Sequence, residues 1–160
     1  MTETGTLVTS EMEELKEVWV RELVSPPVAE SDIRKWAIAS YWPEVPPQLF
    51  WDQAYARTTK WGGIVAPEDF NPFAWPVPTG DGEGHGLPGM IGRNVLNGGQ
   101  TDTFGVRMRP GDVITTRTRL SHWNEREGRA GLMLFSFYET EWRNQDDELV
   151  KRRIATLIQF

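Results

Sequence analysis

The chain has 160 residues and a mass of 18.3 kDa, enough to bury one hydrophobic core and too little for two. Its 23 acids against 17 bases give a net charge of −6 and a pI near 5.0, which argues against a nucleic-acid binder that works by neutralising phosphates. With no cysteine and only two histidines, His85 and His122, a disulfide framework, thiolate zinc sites, cysteine nucleophiles and a His-rich metal site are excluded.

The N-terminal stretch is acidic and lacks the basic-then-apolar pattern of a targeting segment. Apolar runs such as Leu132 to Phe135 are far too short to span a bilayer, so the expectation is a soluble, cytoplasmic chain with no membrane contact. Met12, Leu15, Trp19 and Leu23 recur at three- and four-residue spacings, which predicts an amphipathic helix over 11–23 that Ser25-Pro26-Pro27 stops. Residues 1–24 then form a helical extension, and residues 25–160 a single domain. Ser31 is the expected N-cap of a second helix carrying Ile33, Trp36, Ala37 and Ser40 on one side. Prolines 43, 46 and 47 interrupt the chain before a short helix within 48–60, which Gly62-Gly63 ends. From Ile64 to Met90 prolines and glycines leave room only for a short helix at 67–75 and then a long loop.

The last third changes character. Residues 94–109, 112–123, 129–143 and 148–160 read as four strands of an antiparallel meander, rich in Thr, Val, Ile, Leu and Phe. Arg109-Pro110-Gly111-Asp112 fits a type II turn, and 124–128 and 144–148 fit hairpin tips. Helices followed by strands give an α+β domain in which a sheet covers a helical layer. Residues 1–103 hold 15 acids and 7 bases, residues 104–160 hold 8 acids and 10 bases. Acids therefore lie in the helical part and bases on the sheet. Arg107, Arg109, Arg117, Arg119, Arg126 and Arg129 form either a solvated outer face or an electropositive strip for an anionic ligand such as the phosphates of coenzyme A.

Three motifs follow one another in order: Phe50-Trp-Asp-Gln-Ala-Tyr-Ala-Arg-Thr-Thr-Lys-Trp-Gly-Gly-Ile-Val-Ala-Pro67, Asn97-Gly-Gly-Gln100 and Arg109-Pro-Gly-Asp112. Together they resemble the MaoC-like hydratase and dehydratase group, particularly its N-terminal-type, FAS-like dehydratase domain, over about residues 28–160. The resemblance implies a hotdog fold, with an antiparallel sheet wrapped around a central helix that is here short and Pro-interrupted. It also implies pairing with another such domain, in a dimer or higher oligomer, and action on acyl thioesters of coenzyme A or acyl carrier protein without a cofactor or metal.

Catalytic members of that group carry an Asp and, five residues further on with four between, a His in the pattern Asp-x4-His, and these position the water that adds to an enoyl thioester. Laid on this sequence, the Asp falls on Val45 and the His on Phe50, neither of which can move a proton. The resemblance therefore implies a subunit of a heteromeric enoyl-CoA hydratase or dehydratase that shapes the acyl tunnel, while a second MaoC-like chain bearing Asp-x4-His supplies the chemistry. Candidate substrate-binding residues are Trp42, Phe50, Trp51, Trp61, Phe70 and Trp75 as apolar walls, with Phe73 beside them, and Glu68 at the start of the expected helix whose free N–H groups would polarise the thioester carbonyl. Arg93, Asn97 and Gln100 are candidates for hydrogen bonds to the thioester or pantetheine arm, Asn97-Gly98-Gly99 reading equally as a turn.

Each aromatic residue reads alternatively as core. Trp19 and Trp36 are expected to pack, and Trp123 and Trp142, near strand ends, to serve a dimer interface. Asp81 and His85, with Glu83, form the one compact carboxylate and imidazole cluster, in the Gly-rich loop. They support a second reading, a self-sufficient homo-oligomeric hydratase. A third is a non-catalytic module that binds an acyl thioester.

Overall fold

A computed structural model describes residues 5–75, 87, 94–129 and 131–160. In chain order the elements are α1 (Ser10–Leu15), β1 (Trp19–Val24), α2 (Glu30–Tyr41), a 3-10 turn (Gln48–Phe50), α3 (Gln53–Thr58), β2 (Val95–Phe104), β3 (Thr115–Gly128), β4 (Gly131–Arg143) and β5 (Leu149–Gln159). The strands make one five-stranded antiparallel sheet in the order β1-β3-β4-β5-β2.

Several expectations are corrected by these elements. The predicted helix over 11–23 ends at Leu15, and Glu17, with φ 63°, turns the chain into β1. The β-branched Val18, Val20 and Val24 favour extended backbone, and β1 finds a partner edge on β3, pairing Trp19 with Arg119 and Val24 with Thr115. Tertiary pairing outweighs the helical spacing, so Trp19 stands on a strand, and Trp19–Val24 join the same sheet as the later strands. Ser25 ends this strand: Ile114 N donates to its Oγ at 2.9 Å and its own N–H donates to Ile114 O at 2.8 Å. Helix α2 starts one residue before Ser31, with Ala29 at the cap position and no side-chain cap. The helix expected at 67–75 is absent; Phe70 N closes a turn on Pro67 O at 3.1 Å.

The strands at 115–159 hold close to their predicted places. Strands β3, β4 and β5 form a meander, but β2 crosses to the far edge beside β5 instead of joining β3. Gly111 supplies the positive φ of 92° at the Arg109–Asp112 turn, closed by Asp112 N to Arg109 O at 3.1 Å. Gly105, just after β2, passes so close to β5 that a Cβ there would meet Leu149 O at 1.9 Å. The first hairpin tip lies at 128–131, because β3 runs through the predicted turn at 124–128 to Gly128. A register shift between Leu120 and His122 marks a bulge on the way.

Two apolar clusters fill the inner face. One joins Ile33 and Ala37 of α2, Phe50, Ala56 of α3, Ile64, Val65, Ala66 and Phe70 to Met108, Ile114 and Val150 at one end of the sheet. The other lies over the middle of the sheet, where Met12 of α1 is buried against Leu120, Leu134 and Tyr138. The α1 segment is tied down by Thr9, which caps it through Met12 N, and by Thr6, whose hydroxyl donates to Glu125.

Candidate functional site

The place where the resemblance would seat a proton-transfer pair is apolar at both positions. Val45 lies in the loop after α2 and is 82% exposed. Phe50 ends the 3-10 turn, is 7% exposed, and sets its ring 6.1 Å from Tyr41 within the first cluster. The carboxylate next in sequence, Asp52, caps α3 by accepting from Tyr55 N at 3.0 Å. That bond ties it to the helix end.

The aromatic candidates separate into three environments. Phe50 and Phe70 are buried, Phe70 meeting Trp36 edge-on with centroids 5.7 Å apart. Trp51 is half-buried, its Nε1 donating to Pro46 O at 2.9 Å, and Phe73 packs on the same cluster. Trp42, 78% exposed, and Trp75, also exposed, present their rings to solvent, Trp75 touching Trp36 edge-on. Trp61 sits between two cations, Lys60 Nζ at 4.8 Å and the Arg107 guanidinium at 5.6 Å from its centroid. Arg107 in turn donates to Ala66 O at 3.2 Å and pairs with Glu68 at 3.2 Å. Glu68 is thus placed in an ion pair, and the helix N-terminus expected to offer N–H groups beside it does not form.

The cations of the sheet are mostly paired. Arg117 and Arg119 flank Trp19 at 4.4 and 4.5 Å. Arg117 binds Glu141 at 3.2 Å, and Arg119 binds Glu139 at 2.7 Å and Glu17 at 2.8 Å. Arg143 shares Glu141, and Arg152 shares Glu139. Burial opposes the charge on both glutamates, but hydrogen bonds from Arg152 and Arg119, and from Arg143 and Arg117, outweigh it and hold both carboxyls below the ordinary range. Arg107 and Arg109 lie in the connection between β2 and β3. The six arginines therefore do not make one electropositive strip.

Along the β2–β5 ladder, Asn97 and Gln100 are exposed. Asn97 Oδ1 accepts from Gly99 N at 2.8 Å inside a bulge, the turn reading of this segment. The inner side of the same ladder holds residues the sequence did not single out, Asp102 and Phe104 of β2 and Lys151 and Arg153 of β5, with Trp142 of β4 beside Lys151. Strand alternation puts 151 and 153 on one face of β5 without saying which face is inward. Trp123 and Trp142, expected at an interface, face inward on the second and first clusters respectively. Lys16 covers Trp123, and Lys151 and Arg153 cover Trp142. His122 stacks on Phe137 with centroids 4.2 Å apart. Arg93, Asp81 and His85 lie outside the described residues.

Two clefts flank the Asn144–Glu148 hairpin tip. One, of about 430 Å³, is lined by Trp61, Arg107, Arg109, Asp112, Asp146 and Glu148; the other, of about 300 Å³, by Glu22, Arg117, Glu141 and Arg143 among others. Gln145 stands between them, accepting from Val113 N at 3.0 Å and donating to Asp112 at 3.1 Å. Among the described residues, no group of three or more His, Asp or Glu side chains is placed to hold a metal ion, and no helix is long and apolar enough to cross a membrane.

Comparison with known proteins places this geometry. The family described as the FAS1-like, dehydratase domain region matches residues 18–153. No curated protein matches the chain. Among solved structures, the ChsH1-ChsH2 complex from Mycobacterium tuberculosis is similar with a TM-score of 0.70 and 18% identity, over 94% of this chain and 89% of that one. The HadBC (3R-hydroxyacyl-ACP dehydratase) complex from the same organism has a TM-score of 0.60 and 20% identity, over 87% and 96%. The (R)-hydratase from A. caviae involved in PHA biosynthesis has a TM-score of 0.56 and 16% identity, over 86% and 92%. These likenesses show the hotdog fold that the sequence motifs implied.

Proposed function

Because the chain belongs to the FAS1-like dehydratase family, we propose that it is the acyl-binding subunit of a heteromeric enoyl-thioester hydratase or dehydratase, and that a partner chain of the same fold supplies the Asp and His. The observation that carries this reading is the state of the two dyad positions, with Val45 in solvent and Phe50 in the core. General acid–base catalysis needs a titratable group within hydrogen-bond reach of the reacting atoms, and neither position offers one.

Two further features support it. Ile38, Tyr41, Trp42, Val45 and Tyr55 all expose apolar surface on or beside this stretch, the kind of surface a partner subunit covers. Two of the similar structures, ChsH1-ChsH2 and HadBC, are described as complexes. In this role the aromatic residues from Trp42 to Trp75 contribute walls for a bulky acyl group, the substrate is a coenzyme A thioester, no cofactor takes part, and the assembly is cytoplasmic.

The test is co-expression with a MaoC-like chain bearing Asp-x4-His, affinity capture, and assay of enoyl-CoA hydration. The pair is expected to co-purify and be active, and this chain alone to be inactive. Full activity of this chain alone, abolished by His85→Ala, would overturn the reading in favour of a self-sufficient hydratase using Asp81 and His85. Inactivity with every dyad-bearing partner would leave an acyl-thioester-binding module.

A further inference from the structure

Strand β5 carries Lys151, Arg152 and Arg153 in succession, and alternation sends them to opposite faces of the sheet. Arg152 points outward to Glu139. Arg153, inward, donates from Nε and Nη2 to the two carboxylate oxygens of Asp102 at 2.7 and 2.8 Å, a bidentate pair. Lys151 is inward as well and has no such partner. It is 7% exposed, and among the described residues no carboxylate lies within 4 Å of its ammonium.

What Lys151 does have is the face of Trp142, its Nζ standing 4.5 Å from the ring centroid. The Arg153 guanidinium lies 5.6 Å from the same centroid, so two cations share one indole and have one carboxylate between them. Lysine is almost never so buried unless paired. Removing its charge from water without a counter-ion is costly, and an aromatic face offsets only part of that. Burial, then repulsion from Arg153, hold its pKa below the ordinary lysine value against the opposing pull of Asp102 and Asp69. The surroundings are not sealed. Phe104, opposite Lys151 on β2, is 42% exposed, and Gln100 further along the strand is exposed as well.

We propose that Lys151, seated on Trp142 beside Arg153, anchors an anion-binding subsite on the inner face of β5 and β2, taking the carboxylate or phosphate oxygens of a ligand with a flat or aliphatic body. The anion provides the counter-charge that no described residue brings within 4 Å of the ammonium. The ammonium offers three N–H donors from a compact charge, which suits either oxyanion. Arg153, committed to Asp102, adds its field, while Trp142 and Phe104 give the ligand body apolar contact. The site involves this chain alone, so its fate is separate from that of the proposed heteromer.

The experiment is calorimetric titration of the full chain with two probes, octanoate as a carboxylate on an aliphatic body and inorganic phosphate. Wild type, Lys151→Met, Lys151→Arg and Lys60→Met are compared. Binding of at least one probe is expected, weakened about tenfold or more in Lys151→Met, a loss of about 1.4 kcal/mol, and largely kept in Lys151→Arg and Lys60→Met. Octanoate alone binding assigns the site to carboxylates, phosphate alone to phosphoryl groups, and either supports it. Failure of both probes to bind wild type, or equal binding by a folded Lys151→Met, overturns it. Should Lys151→Met fail to fold, protection of Lys151 from acetic anhydride by the bound probe, read by peptide mass spectrometry in wild type, decides the matter in the same way.

Discussion

The two faces of the sheet use the same residue types to opposite ends. On the outer face Arg117 and Arg119 stand directly across the ladder from Glu141 and Glu139, and Arg143, Arg152 and Glu17 close the set. Each arginine has a carboxylate, and Trp19 lies pressed between two of them. On the inner face Trp142 also carries two cations, yet among the described residues only Arg153 has a carboxylate. Cross-strand charge pairing thus fixes the register outside, while inside it stops one partner short. A count of bases per strand cannot distinguish these cases, because the difference lies in which side of the ladder each base occupies.

Breaking the outer network should have the largest effect. Glu139→Ala leaves Arg119 and Arg152 without their shared, buried partner and should lower stability by about 3 kcal/mol, seen as a fall in the urea midpoint at unchanged m. Trp142→Ala comes next. The ring is half-buried against the first cluster, and its loss should cost about 2 kcal/mol in the same measurement.

Acid should dismantle the network by titration. The folded-state pKa values of Glu139, Glu141 and Asp102 are depressed, so their contribution is present above the unfolded values near 4.5 and 3.8 and is lost as pH falls through the folded ones. Urea midpoints taken from pH 7 to pH 3 should decline, and less steeply in Glu139→Gln. Lys151 should give the same direction in an alkaline window, by relief of a penalty and not by gain of a pairing. Its folded pKa is below 10.5, so between the two values the unfolded chain binds more protons and stability rises with pH. Measured relative to Lys151→Met, in which Tyr138, raised by burial to about 12, is unchanged, wild type should gain stability as pH approaches 10.5. A wild type that loses stability there relative to the mutant would show that the lysine is paired. At pH 7, Lys151→Met itself should be neutral or stabilising.

The smallest effect belongs to the rim. Asp147→Asn tolerates the positive φ of 59° and removes only the 3.6 Å contact with Arg143 at an exposed site, so the midpoint should move by less than about 0.5 kcal/mol.

Local chemistry made part of the fold readable. Pro110-Gly111 marked its turn, and the β-branched alternation of 115–159 marked three strands, because each of those signals is complete within a few residues. Strand β1 was not readable as a strand. Met12, Leu15, Trp19 and Leu23 have helical spacing, and only the edge of β3, some hundred residues away, makes Trp19–Val24 extended. The crossing of β2 to β5 is likewise a long-range choice. At the candidate site the apolar character of Val45 and Phe50, where the resemblance would seat a dyad, was legible because side-chain type is read directly from the sequence. Lys151 was not, since within Lys-Arg-Arg only the register with Trp142 and Glu141 decides which bases face inward.

The burial of Met12 bears on how the chain reaches this structure. Its neighbours Leu120, Leu134 and Tyr138 belong to strands synthesised long after α1, and β1 waits for β3 over a similar distance. Contacts so far apart in sequence make for slow folding. The helical half, with Phe50, Phe70 and the exposed Trp42, must therefore remain soluble on the ribosome before any sheet exists to cover it. The acidic charge concentrated in residues 1–103 gives that half the mutual repulsion that keeps nascent chains apart.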